Sequence, residues 1–378
     1  MTLLSYCTNV HPAEDLAGIL EQLDTYAVPV REELGVDRLG VGLWLAAEVA
    51  SGLAEDRSAR LRLAEELRTR GLAVQTMNAF PYQGFHDDVV KHKVYVPQWT
   101  DVRRLRYTLD CITVLADLLP EDAAYGSIST LPLAWREPWN ASHDIRAGIA
   151  LDEVTRVLRT ALARHEQPIR LAVEPEPGCV LDTVADAVGW LADRVEPEHV
   201  GLCLDTCHLA VSFADPVEAV DQIYRSGLRV VKVQASAALH VAEPGTEEAR
   251  AALARFAEPR YLHQVRELTP SGAVLAADDL PEALDTLPAQ GPWRVHFHVP
   301  LHADPQSPLT STTDVLTSAV GALRAHEPEQ LPHIEVETYT WSVLPRGGRR
   351  WQPQDLVTGI ADELRWARSS FADQEVYQ

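Results

Sequence analysis

The feature that most constrains the fold is a regular alternation of short apolar runs with longer amphipathic segments along the whole chain. Runs such as Leu72–Phe80 and Val200–Asp205 predict buried strands, and segments such as Asp101–Leu119 predict helices. Strands that alternate with helices favour right-handed β-α-β units on a parallel sheet. A total of eight or nine predicted strands favours an α/β fold of the closed (β/α)8 type, the TIM barrel, over an open doubly wound sheet.

One segment, Ala235–Pro292, departs from this alternation. It contains a predicted helix, Glu247–Phe256, and a predicted hairpin that joins Tyr261–Leu268 to Ala273–Ala277. A long excursion between barrel strands usually builds a lid or wall over the active face, although a surface insertion without function is the alternative. We therefore expect one domain, residues 1–378, with residues 235–292 as an insertion near strands 7 and 8.

The charge balance restricts the partners of the chain. The 33 Lys and Arg residues against 55 Asp and Glu residues give a formal net charge of −22, which disfavours nucleic-acid binding. We recognise neither a signal peptide nor a membrane span, and the five scattered cysteines fit a reducing compartment, so the predicted location is cytoplasmic. The basic cluster Arg346–Arg350 is interpreted as a solvated loop and not as a phosphate site.

Polar residues end several of the predicted strands, and in a TIM barrel these ends form the active face. Four segments carry glutamate, aspartate or histidine to this rim, and a fifth segment ends in the side-chain amide of a glutamine. The residues concerned are Glu174 and Glu176, Asp205 and His208, Gln234, His296 and His298, and Glu335 and Glu337. Unpaired carboxylates crowded in a partly dry pocket repel one another, and a divalent cation removes that cost. We therefore predict a bound metal ion, with Mn, Mg, Fe, Co and Zn all suited to carboxylate and imidazole ligands.

Four of these motifs resemble those of the xylose-isomerase-like TIM barrels, a superfamily of sugar phosphate isomerases, epimerases and endonuclease IV-like phosphodiesterases. They are Glu174–Gly178, Asp205–His208, His296-x-His298 and Val336–Thr338. Within this superfamily the whole chain resembles the metabolite traffic protein EboE family. Its longer motifs are Tyr6–Pro12, Asn78–His86, Ser127–Pro132, Val295–Pro300 and Glu337–Trp341. This family context implies a sugar- or cyclitol-derived compound of secondary metabolite biosynthesis.

The superfamily resemblance implies metal ligands at the ends of strands five to eight. Glu174, Asp205 and Glu337 match three of these positions. The seventh position departs from the pattern, because the strand there ends in Gln234 where isomerases usually carry histidine. Three interpretations stay open: His298 supplies the imidazole, Gln234 ligates weakly, or the metal site is degenerate. We favour His298.

An isomerase mechanism would use Glu174 and Glu337 as the catalytic residues, each exchanging a proton with a carbon next to a carbonyl group. The candidate substrate-binding residues are the polar side chains near the predicted rim together with one aromatic ring that could close over the substrate. They are His11, Asn78, His86, His208, Gln234, His296 and Trp341.

Three hypotheses for function follow. The leading one is a metal-dependent isomerase or epimerase acting on a small polyol or carbonyl compound. The others are a metal-dependent hydrolase or lyase, and a non-catalytic carrier of a metabolite. DNA cleavage is disfavoured, since Asn78, Ser127 and Ser129 stand where endonuclease IV-like barrels carry additional histidine ligands. The sequence leaves open whether the protein forms a homodimer.

Overall fold

The structure is a computed structural model that describes residues 3–163, 167–345 and 352–372. The basic cluster Arg346–Arg350 and the predicted helix end at His165 lie outside the described residues. The strands of the described chain are β1 Ser5–Cys7, β2 Leu39–Leu43, β3 Leu72–Asn78, β4 Gly126–Thr130, β5 Ile169–Val173, β6 Val200–Asp205, β7 Val230–Ala235, β8 Leu239–Val241, β9 Val265–Leu268, β10 Val274–Ala277, β11 Trp293–Val295, β12 Leu309–Ser311 and β13 His333–Val336.

Eight of these strands close a parallel barrel, in the order β1-β13-β7-β6-β5-β4-β3-β2. This confirms the predicted α/β barrel. The barrel strands are almost entirely buried and rich in Val, Leu and Ile, as expected for a parallel sheet that is covered on both faces. The closure brings together strands that are far apart in sequence, since Ser5 of β1 lies in register with Glu335 of β13.

The helices surround this barrel, and most of them begin at an Asp, Asn or Thr residue whose side chain accepts a hydrogen bond from the first turn. Their bounds are α1 Leu16–Gln22, α2 Val28–Leu34, α3 Ala47–Glu55, α4 Arg57–Thr69, α5 Val102–Leu118, α6 Ala141–Leu162, α7 Val184–Leu191, α8 Thr206–Val211, α9 Pro216–Arg225, α10 Glu247–Ala254, α11 Leu280–Thr286, α12 Thr313–His326 and α13 Pro353–Ala372. Within the described residues, no helix is both long and apolar enough to cross a membrane.

Some helix boundaries differ from the sequence-based expectation. The helix expected near Asp152 begins earlier, at Ala141, because Asn140 accepts hydrogen bonds from the amides of Ser142 and His143. The helix expected to end at Ala27 continues through a π-helical turn into α2, which places Pro29 in the first turn of that helix, where its missing N–H is tolerated.

The excursion between β7 and β13 forms a second, antiparallel sheet in the order β10-β9-β11-β8-β12. The predicted hairpin is present. Strands β9 and β10 pair in antiparallel orientation, with Val265 opposite Ala277 and Leu268 opposite Val274. The run Trp293–Val299 belongs to this sheet and not to the barrel, and only its first three residues form a strand, β11. That the chain is a single domain with residues 235–292 as a lid stays a prediction.

A fully buried ion pair lies inside the barrel, below the active face. Lys232 Nζ lies 2.6 Å from Glu335 Oε2, and neither side chain is exposed. Gly42 on β2 makes room for the pair, since a Cβ atom there would lie 1.0 Å from Glu335 Oε1. The ammonium group also lies 3.2 Å from Ser129 Oγ and 3.3 Å from the Met77 carbonyl oxygen.

Candidate metal centre and active site

The side chains of Glu174, Asp205 and Glu337 converge at the C-terminal ends of the barrel strands. Glu174 directly follows β5, Asp205 ends β6 and Glu337 directly follows β13. All three are buried, and one oxygen from each lies within 4.8 Å of the others. Parallel strands carry their last residues to one rim, which explains why residues from three distant parts of the chain meet here.

Asp205 is held in place by the start of α8. Its Oδ1 atom accepts hydrogen bonds from the His208 amide and from Ser236 Oγ, both at 2.9 Å. Its Oδ2 atom is buried and has no hydrogen-bond partner among the described residues. The carboxylate is therefore fixed by one oxygen and presents the other to the centre of the cluster.

His298 adds an imidazole on the same side. Its Nδ1 atom lies 2.7 Å from the carbonyl oxygen of Glu337, which can only accept, so Nδ1 carries the hydrogen. Its Nε2 atom lies 3.8 Å from Asp205 Oδ2 and has no hydrogen-bond partner in the described part of the chain. A histidine oriented by a backbone carbonyl, with a free lone pair on its other nitrogen, is the usual arrangement of a metal ligand.

The two glutamates have different surroundings. Glu337 Oε1 accepts hydrogen bonds from the side-chain amides of Asn9, at 2.7 Å, and Asn78, at 2.9 Å. Glu174 Oε2 is buried with no partner among the described residues. Burial raises the pKa of Glu174 well above its usual range, and the charges of Glu337 and Asp205 raise it further. Burial also raises the pKa of Glu337, with Asp205 as the next cause.

These donors fit a divalent cation. Glu174, Asp205 and His298 each have an unpartnered, buried donor atom near the strand ends, and a ligand atom of Asp205 lies within 4.8 Å of one from each of the other two. Buried polar atoms normally have partners, and three carboxyl groups so close together repel one another unless protons or a cation compensate their charge. Two groups of residues that could hold a cation share Asp205. One is made of three carboxylates, Glu174, Asp205 and Glu337, and the other combines Asp205 with the imidazoles of His208 and His298.

A pair of histidines lies beside this cluster. His208 Nδ1 is 3.0 Å from the Pro175 carbonyl oxygen and therefore carries a hydrogen. His296 Nδ1 is 2.7 Å from Gln264 Oε1, and Gln264 uses its nitrogen to donate elsewhere, so this Nδ1 carries a hydrogen as well. The two Nε2 atoms face each other at 3.2 Å, and burial lowers the pKa of His208 to about 4. Two neutral imidazoles with adjacent lone pairs are suited to accept a hydrogen bond from a substrate hydroxyl.

Glu176 occupies a separate position in the same pocket. Tyr95 Oη donates to its Oε1 atom at 2.7 Å, and Gln264 Nε2 donates to the same atom at 3.1 Å. Burial raises the pKa of Glu176 to about 8 in spite of these hydrogen bonds. Among the described groups able to hold a cation, one combines Glu176 with His208 and His296 and another combines Cys207 with His296 and His298.

The structure brings most of the candidate residues to one cavity. Its lining includes Glu174, His298 and Glu337 together with the candidates Asn78, His208 and His296. Gln234 lies beside Asp205 in the strand register, and both atoms of its buried side-chain amide lack partners within the described residues. Gln234 is thus near the site, but His298 has the better oriented donor, and the choice between them stays a prediction.

Like Asp205 and Gln234, three other candidates are not among the described residues that line this cavity. His11 stacks on Tyr26 with ring centres 4.5 Å apart, and its Nε2 atom lies 3.1 Å from Tyr6 Oη. His86 Nε2 lies 2.6 Å from the Asn9 carbonyl oxygen, and this contact orients the segment that follows β1. Trp341 donates from its indole nitrogen to Glu363 on α13 at 3.0 Å. In this structure the three side chains support loops and helices around the site.

Sequence reasoning did not identify several residues of the cavity. Asn9 follows the first strand, so its position at a strand end was the available signal. Tyr95 ends a short 3-10 helix between β3 and α5, and Tyr261 lies in the excursion. No periodic pattern indicated the direction of either side chain. Glu176 was recognised as one of two carboxylates two positions apart, but its partners Tyr95 and Gln264 come from distant segments.

The profile of the family described as "Xylose isomerase-like TIM barrel" matches residues 32–260, more than half of the chain. The chain belongs to the xylose isomerase-like TIM barrel family. This agrees with the closed barrel and with the part of the sequence resemblance that concerned the superfamily. No curated protein matches this sequence significantly.

Solved structures of xylose isomerase-like barrels share the fold at low sequence identity. A D-psicose 3-epimerase in the presence of D-fructose has a TM-score of 0.52 and 12% identity, with 98% of this chain and 99% of that chain covered. The IOLI protein with bound zinc has a TM-score of 0.51 and 12% identity, with coverage of 99% and 99%. A xylose isomerase-like protein from Mycobacterium smegmatis in complex with magnesium has a TM-score of 0.51 and 12% identity, with coverage of 98% and 98%.

Proposed function

We propose that the protein is a metal-dependent isomerase or epimerase that acts on a hydroxy-carbonyl compound of the sugar or cyclitol type. The observation that carries the proposal is the set of unpartnered, buried donor atoms of Glu174, Asp205 and His298 at the barrel rim, with Glu337 within 4.8 Å of Glu174 and Asp205. The epimerase activity and the bound zinc or magnesium of proteins with the same fold support this reading.

A divalent cation, when bound, polarises a carbonyl oxygen and makes the adjacent C–H group more acidic. Glu174 and Glu337, whose carboxyl groups both line the cavity, would exchange the proton with that carbon. Burial raises the pKa of both carboxyl groups in the metal-free protein, so each can hold a proton in the cavity. Asn9 and Asn78 orient Glu337, while His208 and His296 accept hydrogen bonds from substrate hydroxyls.

Removal of the proton on one face and its return on the other inverts the carbon, which is epimerisation. Return of the proton to the neighbouring carbon moves the carbonyl group, which is isomerisation. Both outcomes use the same two carboxyl groups, so the position of the substrate in the cavity decides between them. The resemblance to the EboE family adds the finer proposal that this substrate belongs to a secondary metabolite pathway.

The first experiment measures metal content and metal affinity. Elemental analysis of protein purified without chelator, followed by titration with Mn²⁺ and Zn²⁺, is repeated for Glu174→Gln, Asp205→Asn, His298→Ala and Glu337→Gln. We expect at least tenfold weaker binding in each variant. Glu363→Gln is the matched control, because Glu363 is a buried carboxyl on α13 that contacts Thr338 and Trp341 outside the cavity. Full metal content in all four variants would contradict the site.

The second experiment tests the reaction. Incubation of the metal-loaded protein in D₂O with a panel of ketoses and cyclitol ketones should place deuterium at the carbon next to the carbonyl group. Glu174→Gln and Glu337→Gln should each abolish the exchange. A cleaved product formed without deuterium exchange would indicate a hydrolase or lyase, and binding without exchange or cleavage would indicate a carrier.

A further inference from the structure

The cavity above the metal donors is polar at one end and apolar over its outer wall. The apolar wall comes from two segments, the loop between β3 and α5 and the excursion between β7 and β13. Its main side chains are Phe80, Phe85, Val90, Val94, Tyr261 and Leu262. Most of these side chains are buried, so the wall packs tightly and a substrate group placed against it loses its contact with water.

The hydrogen-bonding groups of the lining are mostly occupied by one another. Tyr95 donates to Glu176, and the amide nitrogens of Asn9 and Asn78 donate to Glu337. Among the described lining residues, the buried atoms without partners are Asn9 Oδ1, Glu174 Oε2, His298 Nε2 and Tyr261 Oη. Three of these four lie at the metal end, where the Nε2 atoms of His208 and His296 can also accept a hydrogen bond from a hydroxyl group. Tyr261 Oη is the one buried, unpartnered atom on the apolar wall among the described residues, so a hydroxylated chain extending along that wall would leave most of its hydroxyls unpaired, which costs free energy.

The lining also offers little for a phosphate group. Lys91 is the one lysine or arginine among the described lining residues, and its Nζ atom lies 2.5 Å from Asp279 Oδ2. The same ammonium group lies 3.3 Å from the Glu258 carbonyl oxygen. Among the described lining residues, a phosphate group would therefore meet no cationic side chain that is not already paired.

From this distribution we infer that the substrate carries an uncharged apolar substituent, aryl or alkyl, on its hydroxy-carbonyl head. The head meets Glu174, His298 and Glu337, and the substituent lies against Leu262 and Phe85. A free sugar phosphate does not match this cavity. The inference deepens the proposed function and rests on it for the chemistry of the head.

Hydroxamates test the inference because they chelate a cation with a constant head while their substituent changes. The affinities of acetohydroxamate, benzohydroxamate and phosphoglycolohydroxamate for the zinc-loaded protein are compared by isothermal titration calorimetry. We expect benzohydroxamate to bind at least tenfold more tightly than acetohydroxamate, and phosphoglycolohydroxamate to bind no more tightly than acetohydroxamate. Leu262→Ala should reduce the benzohydroxamate preference at least threefold. Leu275→Ala, at an exposed leucine of β10, should leave it unchanged.

A second arm does not depend on a metal ion. Ligand-observed NMR compares 1-phenyl-1,2-ethanediol with erythritol on the metal-free protein, and we expect only the aryl diol to bind, with weaker binding in Leu262→Ala. Equal affinities of the two hydroxamates, tightest binding of the phosphorylated one, or equal binding of the two diols would overturn the inference. Failure to bind any metal ion would overturn the proposed function instead, and the diol comparison would then decide the inference by itself.

Discussion

The buried ion pair below the active face gives the sharpest prediction of stability. Substitution Lys232→Met keeps an unbranched side chain, shorter by its terminal ammonium group, and removes the charge. It leaves Glu335, whose side chain is fully buried, without the ammonium group 2.6 Å away. A single charge in a dry barrel interior is unfavourable, so the carboxyl group should take up a proton in the folded variant.

The expected cost follows from the proton uptake. A glutamate carboxyl has an ordinary pKa of about 4.3, so protonating one at pH 7 costs about 3.7 kcal/mol, whereas at pH 5 it costs about 1 kcal/mol. We therefore expect Lys232→Met to lower the free energy of unfolding by about 3–4 kcal/mol at pH 7 and by much less at pH 5. The double variant Lys232→Met/Glu335→Leu removes both charges and should recover most of the loss.

Urea unfolding of the chelator-treated protein at both pH values measures these free energies. The control is Arg38→Met, which breaks the exposed pair of Arg38 with Asp122 and should cost less than about 1 kcal/mol at either pH. A loss below about 1 kcal/mol for Lys232→Met at pH 7, or the same loss at pH 5 and pH 7, would refute the reasoning.

Three further predictions concern the site and its surroundings. Because burial raises the pKa of Glu176 from 4.5 to about 8, the stability that its protonated form contributes is complete below pH 4.5 and is lost as the pH rises towards 8. Between pH 6.5 and 8 the metal-free wild type should thus lose about 2 kcal/mol more than Glu176→Gln in urea unfolding, and parallel curves would contradict this. Calorimetric melting should show that Mn²⁺ at 1,000 times the wild-type dissociation constant stabilises the wild type by about 4 kcal/mol and Asp205→Asn by about 2.7 kcal/mol or less. Equal shifts would argue against ligation by Asp205. Lys91→Met removes the ion pair with Asp279 and should lower the free energy of unfolding by about 0.5–1 kcal/mol. It should also accelerate amide hydrogen exchange at positions 90 and 91, whose N–H groups donate to the Arg260 carbonyl oxygen. Unchanged exchange would show that the ion pair does not hold this loop.

The sequence predicted the barrel and most of its rim because both depend on local patterns. A strand exposes every second side chain to one face, and the strand ends of a parallel barrel meet, so Glu174, Asp205 and Glu337 could be placed together. The position of His298 was harder to foresee, because it follows a strand of the second sheet and reaches the rim through the excursion.

The remaining differences arise from tertiary packing. Trp341 was expected at the substrate, but its indole nitrogen donates to Glu363 on α13, and its ring packs on Gly359. The partners of Glu176, Tyr95 and Gln264, lie 81 and 88 residues away from it in sequence. Neither relation leaves a periodic signal in the sequence, since both depend on how separate segments dock against each other.

The pairing of β1 with β13 has a consequence for how the protein folds. These neighbours are the first and last strands of the barrel, with Ser5 opposite Glu335, so the contact closes a loop that includes nearly the whole polypeptide. Contacts between such distant segments form slowly, and during synthesis β1 and β7 keep an open edge until the last strand has emerged from the ribosome. Glu337 arrives only with that strand. A cation that needs Glu337 would therefore bind tightly only to chains whose barrel has closed, and its uptake would serve as a kinetic marker of complete folding.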